Sequence, residues 1–202
     1  VLLEKDRELA FRRENLGDAS VINMDALDFP WERLRALGLW KLAGNLPYNI
    51  ASPVIWDIVS RCDGWERAVF MFQKEVAERI VSPAGSGKYG ALSVWIQSFA
   101  DPVYEFAVKP GSFYPPPKVD SAVVSFVPLP ASAAPRRPLA LKRLLTVCFG
   151  QRRKQIGGIF RKNNMDLLFP YLEKLGIADS ARPEEIRPEQ FKILAESLST
   201  GA

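Results

Sequence analysis

The stretch "LWKLAGNLPYNIASPVIWDIVSR", residues 39–61, decides the fold. Its opening, Leu39 to Gly44, is a short apolar run that reads as a buried strand entering a glycine. Its close, Pro53 to Arg61, carries helical spacing, with Ser52 as cap and Pro53 in the first turn. A strand feeding a helix through a tight turn is the unit of an α/β sheet. Between the two lies "NLPYNI", Asn45 to Ile50, which puts an amide, an apolar residue, a proline and a tyrosine at the carboxyl end of the strand.

Working outward, further short runs rich in β-branched or aromatic residues occur at Val1 to Leu3, Val21 to Met24, Ala68 to Phe72, Val103 to Val108 and Ala122 to Val127. Asp6 to Asn15 and Lys74 to Val81 have helical spacing. Strands alternating with helices predict a mostly parallel, helix-covered sheet, and the last two strands, joined by a loop, predict an antiparallel edge. A Pro/Ala/Ser stretch from Val127 to Leu139 reads as a linker, after which the pattern is wholly helical. The expected organisation is an α/β domain over 1–128 and a small, basic, all-helical domain over 129–202. In a doubly wound sheet the first strand and its Gly-rich turn bind the cofactor. Here the opening "VLLEKD" reads as a second strand ending in an acid, so the sequence is expected to start inside its first domain.

Composition removes several functions. The chain of 202 residues is 48% hydrophobic and 25% charged, which suits a folded protein and argues against disorder. No apolar run approaches the ~20 residues of a membrane helix, and the first residues lack the pattern of a signal peptide, so a cytoplasmic protein without membrane partners is expected. With no histidine and only Cys62 and Cys148, far apart, neither a metal site nor a Ser-His triad has material.

Charge is uneven. Residues 1–120 carry 14 Lys and Arg against 16 Asp and Glu, whereas residues 121–202 carry 13 against 7. No acid occurs between Asp120 and Asp166, a span that includes Arg152, Arg153 and Lys154. Ordinary solvated faces mix both signs, so a polyanion partner, RNA before membrane, is the reading that fits.

The turn at Asn45 has a chemical reading. Proline stiffens it and donates no hydrogen bond, so the Asn45 side-chain oxygen and the Leu46 carbonyl can converge as two acceptors on one amine, with Pro47 fixing the geometry. Tyr48 offers a flat face for a base, a contact worth roughly 1–3 kcal/mol. Such a clamp suits an adenine whose amino nitrogen attacks an electrophilic methyl group through orientation and electrostatics, without a strong general base. The local alternative is a plain type I or II turn. In "GSFYPPPKVDSAVVSF", Gly111 to Phe126, three prolines form a stiff segment that can hold Phe113 or Tyr114 outward; the alternative is a ring capping the sheet edge.

Together "NLPYNIASP", "FQKEVAERIVSPAGSGKYGALSVWIQ", "FYPPPKVDSAVVSF" and "CFGQRRKQI" resemble the successive signatures of the ribosomal RNA adenine dimethylases over essentially the whole chain. The resemblance implies a Rossmann-like methyltransferase sheet, S-adenosylmethionine as cofactor, and the small ribosomal subunit as partner. The expected reaction is dimethylation of two adjacent adenosines near the 3′ end of its RNA by a monomeric enzyme. By the same resemblance Glu4 binds the cofactor ribose, Asp25 contacts its adenine with Ala26 lining the pocket, and Asn45 joins cofactor to target amine. Phe113 is the second aromatic wall. From the charge pattern, Arg152, Arg153 and Lys154, with Lys118, are the candidates to hold RNA phosphates. Local readings compete for the acids: a helix-start carboxylate for Glu4 and a turn cap for Asp25. The family's Gly-rich turn after the first strand has no counterpart in the sequence. A large-subunit adenine methylase of the antibiotic-resistance type and a catalytically impaired assembly factor are the rival functions.

Overall fold

The computed structural model describes residues 1–13 and 20–198. Strand β1 (Leu2–Glu4), helix α1 (Arg7–Arg13) and strand β2 (Val21–Asn23) form a parallel unit, with Leu3 opposite Ile22. The expected helix over Asp6–Asn15 is seen as Arg7–Arg13, and Glu14 and Asn15 lie outside the described residues.

Next come β3 (Trp40–Asn45), α2 (Tyr48–Arg61), β4 (Trp65–Gln73), α3 (Lys74–Val81), α4 (Ala91–Phe99), β5 (Ala100–Val108) and β6 (Ser121–Pro128). Four strands make one sheet in the order β3-β4-β6-β5. β3 runs parallel to β4, and β6 is antiparallel to both its neighbours, which gives the antiparallel edge expected of the last two strands. Among the described residues β1 and β2 pair only with each other, so the parallel strands fall into two sheets.

Central position explains the composition of β4. Ala68, Phe70 and Phe72 alternate inward, and Phe126 of β6 meets both rings, with centroids 6.4 Å and 6.0 Å away. α2 buries Ala51, Val54, Ile55, Ile58 and Val59, the i, i+3, i+4, i+7 stripe of a helix lying on a sheet. Each of the valines and isoleucines contributes about 1.5–3 kcal/mol when fully buried. Trp56 of α2 stacks on Trp95 of α4 with centroids 4.2 Å apart, and Trp95 Nε1 donates to the Trp56 carbonyl at 3.0 Å. These tryptophans are packing residues, as their size suggests.

One boundary differs from the sequence reading. α2 begins at Tyr48, not Pro53, and Pro53 lies inside the helix. Proline at this point forfeits one bond to the carbonyl four residues back. The turn that precedes it supplies the start: Pro47 sits at φ −54°, and its carbonyl accepts the Ile50 and Ala51 N–H groups at 3.0 and 3.1 Å.

Beyond the sheet every element is helical: α5 (Pro138–Gly150), α6 (Ile156–Lys162), α7 (Phe169–Lys174) and α8 (Pro188–Ser197). α5 buries Leu141, Leu144, Leu145 and Cys148 against α8, and both pack on α4. The segment read as a linker is pinned at several points. Leu129 N–H bonds the Phe99 carbonyl at 2.8 Å, Lys192 Nζ donates to the Ala133 carbonyl at 2.8 Å, and the Arg137 guanidinium bonds the Leu198 carbonyl just beyond α8. A cation there complements the helix dipole. Among the described residues no helix is long and apolar enough to cross a membrane, and no cluster of three His, Cys, Asp or Glu forms a metal-holding group.

Candidate active site and nucleic-acid interface

β3 delivers the NLPY turn through Gly44. A Cβ at Gly44 would meet the Phe70 ring at 3.1 Å, tighter than ordinary van der Waals contact, so glycine lets the strand lie close to its neighbour without displacing that ring. Asn45, opposite Met71, ends the strand. From there exposure alternates: Asn45 and Pro47 face solvent, while Leu46 and Tyr48 are half-buried. The Tyr48 hydroxyl does not reach solvent freely, because it shares a 2.6 Å hydrogen bond with Ser121 Oγ at the start of β6. Sequence reading did not single out Ser121, since a serine opening a strand carries no signal by itself.

After β5 a short turn, Pro110–Ser112, leads to Phe113, whose N–H bonds the Pro110 carbonyl at 3.1 Å. Phe113 is half-buried and Tyr114 wholly exposed, so of the two aromatic residues it is Tyr114 whose ring stands in solvent. Lys118 is exposed two residues before Asp120. The Asp120 carboxylate lies 3.3 Å from Lys109 Nζ and 3.8 Å from Lys74 Nζ, and its carbonyl accepts the Lys74 N–H at 2.9 Å. These contacts tie the PPPKVDS segment to the start of α3. Lys74 takes part in this anchor mainly through its backbone N–H.

Glu4 and Asp25 stand at or just beyond the carboxyl ends of the paired strands β1 and β2, where ligands of open α/β sheets gather. Asp25 Oδ2 receives Lys5 Nζ at 2.6 Å, and its Oδ1 accepts the Leu27 N–H at 3.0 Å. Both hold its carboxyl below the ordinary carboxylate range, with the Lys5 bond the larger cause. The turn-cap role weighed from sequence is therefore present. It leaves lone pairs of the carboxylate for a ligand, since a carboxylate has about four acceptor positions. Glu4 Oε1 accepts the Asp6 N–H at 3.1 Å. Ala26 is half-buried against the core.

The basic segment needs a correction. Its stretch is free of acids along the chain but not in space: Glu184 comes within 3.7 Å of Arg152 Nε, and Asp179 lies 3.1 Å from Arg161. Arg152 also donates to the Gly87 carbonyl at 2.8 Å. Arg153 and Lys154 are exposed, with no ion pair among the described residues. A separate cleft, lined by Arg79, Lys88, Tyr89, Leu92, Phe149 and Arg152, holds three cations. Each is already paired, with Glu75, Glu78 and Glu184 respectively, so the cleft exerts little net pull on an anion.

No thiol competes as nucleophile. Cys62 and Cys148 are buried, and loss of hydration pushes their pKa values up to about 11 and about 12.

Comparison with known proteins bears on this geometry. Residues 1–200 match the family described as Ribosomal RNA adenine dimethylase. Ribosomal RNA small subunit methyltransferase A of Nitratidesulfovibrio vulgaris (strain DP4) is 49% identical over 207 residues, with 100% of this chain and 77% of that protein covered. Its namesake in Oleidesulfovibrio alaskensis is 50% identical, with 98% and 72% covered. Among solved structures, a dimethyladenosine transferase from Plasmodium falciparum superposes with a TM-score of 0.78 at 26% identity, covering 95% of this chain and 78% of that one. The 23S rRNA methyltransferase ErmE gives a TM-score of 0.64 at 24% identity, covering 98% and 81%, and shares the Rossmann-like fold. With a family match across nearly its whole length and relatives at about half identity, the chain is a methyl-transferring enzyme of the ribosomal RNA adenine dimethylase family.

Proposed function

We propose that the protein transfers methyl groups from S-adenosylmethionine to the amino nitrogen of two adjacent adenosines near the 3′ end of small-subunit ribosomal RNA, in the cytoplasm, during subunit assembly. The observation that carries this reading is the NLPY turn: an exposed Asn45 at the end of a parallel strand, followed by a tyrosine ring fixed at its hydroxyl.

The residues present suit the cofactor. Asp25, held ionised by Lys5, and Glu4 offer carboxylate acceptors at the ends of neighbouring strands, the chemistry that ribose hydroxyls and an exocyclic amine require. When bound, S-adenosylmethionine supplies an electrophilic methyl group. Everything else falls to this chain. Asn45 Oδ1 and the Leu46 carbonyl accept the N–H groups of the target amine, which turns its lone pair away from the ring and toward the methyl. Pro47 keeps those acceptors in register by fixing φ. Tyr48 and Phe113 stack on the adenine, offsetting part of the few kcal/mol of unstacking it from RNA. Arg153, Lys154 and Lys118 neutralise backbone phosphates, and Arg152 supports them from its anchored position. The Rossmann-like part is taken as 1–128 and the helical RNA-binding part as 129–202.

The test is transfer of labelled methyl to small subunits lacking the modification. It uses this chain alone and the chain preceded by the Gly-rich strand and turn that the family resemblance leads one to expect. Label on small-subunit adenines, nearly abolished in Asn45→Ala with RNA affinity retained, is the expected result. Label on large-subunit RNA instead would overturn the substrate. Silence from both versions, with subunits still bound, would leave a binding protein in place of the proposed catalyst.

A further inference from the structure

We infer that Ser121 is a positioning residue for adenine methylation: its hydroxyl holds the Tyr48 ring in the orientation that receives the base. The inference rests on the reading of Tyr48 as a stacking face.

Tyr48 Oη and Ser121 Oγ lie 2.6 Å apart, within the range for two hydroxyls, either of which can donate. Their surroundings are unequal. Ser121 is fully buried at the first position of β6, where Gln73 of β4 flanks it on one side and Val108 of β5 on the other. Tyr48 is the first residue of α2, half-buried, in a turn whose N-cap makes no side-chain bond. The serine is the fixed end of the contact and the tyrosine the end that is held. A tyrosine in an uncapped first turn has a choice of χ1 and χ2 rotamers, and a bond at the tip of its ring removes that choice before the base arrives.

The same point of the fold anchors the opposite wall. Asp120, beside Ser121, is tied through its carbonyl and carboxylate to Lys74 and through its carboxylate to Lys109, and the chain runs back from it through Lys118 to Phe113. Tyr48 and the segment bearing Phe113 therefore share one reference at Asp120–Ser121. The clamp keeps its register because both faces are measured from that point.

The experiment uses the full-length enzyme and unmodified small subunits, with Ser121→Ala, Tyr48→Phe, the double variant, Ser121→Thr and Tyr48→Ala. Loss of one hydrogen bond predicts a fall in kcat of about fivefold to tenfold for Ser121→Ala and for Tyr48→Phe, with KM for subunits unchanged. The double variant should be no slower than either single one, because both remove the same hydrogen bond. Ser121→Thr, which keeps a hydroxyl, should retain most of the rate. In RNA carrying 2-aminopurine at the target position, quenching on binding should weaken in Ser121→Ala. Wild-type kcat in both single variants, additive losses, or a lowered melting temperature at unchanged kcat would overturn the inference. Full turnover in Tyr48→Ala would refute the stacking reading itself. Inactive Tyr48→Ala beside fully active Ser121→Ala and Tyr48→Phe would retire the positioning role alone.

Discussion

Replacing Gly44 by alanine probes how the core fixes the NLPY turn. The added Cβ would lie 3.1 Å from both Cδ1 and Cε1 of Phe70 and 3.5 Å from Leu46 Cδ2. Carbon atoms prefer about 3.5–4.0 Å, so ring or strand must yield by roughly half an ångström. The ring has little freedom. Phe70 is 4% exposed and boxed by Phe72 and Phe126, with centroids 6.5 and 6.4 Å away. Overpacking of this kind costs about 1–3 kcal/mol, against about 0.4–1 kcal/mol gained from a less flexible unfolded chain, so destabilisation wins. The net of roughly 0.5–2 kcal/mol lowers the melting temperature by about 1–8 °C in a chain this long. Because the ring is boxed, much of the displacement passes into the strand end and so into Asn45 and Leu46. Misplacement by about 1 Å can cost 10²-fold, so half that distance predicts a fall in kcat of about tenfold. The assay is methyl transfer at saturating subunits alongside thermal melting. Adding Phe70→Leu, which removes the ring atoms in the way, should restore part of the rate. Unchanged turnover in Gly44→Ala, or no recovery in the double variant, would refute the argument that close strand approach positions the acceptors.

The remaining expectations concern the helical part and the thiols. Charge removal at Arg153 or Lys154 should flatten the salt dependence of RNA binding by about 0.7–0.9 in log–log slope for each phosphate left without its cation, whereas Arg152→Ala should change the slope less and lower the melting temperature. Equal slope changes in all three would contradict the internal engagement of Arg152. Tyr89→Phe removes a fully buried hydroxyl that donates to the Ile186 carbonyl at 2.9 Å and should cost about 1–3 kcal/mol in urea unfolding; a change within error would contradict that bond. Cys62 and Cys148 should resist thiol reagents at pH 8 in the folded protein and react once it unfolds. Their folded pKa values are raised above the ordinary 9.0. The stability they contribute is thus complete below pH 9 and declines as pH rises toward about 11 and about 12, which urea titrations across that range measure.

What was legible in the sequence followed from local chemistry. Lys74–Val81 forms the helix its spacing predicts, and the β5–β6 pair is antiparallel because a loop, not a helix, joins the strands. α4 carries the mark only over a short stretch. Leu92, Trp95, Ile96 and Phe99 recur at i, i+3, i+4 and i+7 and Gln97 lies opposite, but Ser93, Val94 and Ser98 are buried as well, so "ALSVWIQSF" has little exposed polar surface to set off its apolar stripe. Ser52-Pro53 imitated a helix start, but the carbonyl of Pro47 had already accepted the first bonds of α2. The chemistry proposed for the NLPY turn rests on residue types visible in the sequence, whereas its hydroxyl anchor is not visible there, because Ser121 lies 73 residues from Tyr48.

Charge shows why distance along the chain misleads most at the interface. Counting along the sequence makes Arg152, Arg153 and Lys154 equivalent, three neighbouring cations in a stretch without acids. Folding separates them. Glu184 and the Gly87 carbonyl claim Arg152, and the Glu184 carbonyl also accepts the Gly85 N–H at 2.7 Å, so one arginine and one glutamate join the loop after α3 to the helical part. An arginine held this way keeps its charge but has fewer free donors, and moving it toward a phosphate means breaking bonds within the protein. Arg153 and Lys154 carry no such cost. On the proposed RNA-binding role the three residues should therefore contribute unequally, with the order set by Glu184, 32 positions beyond Arg152.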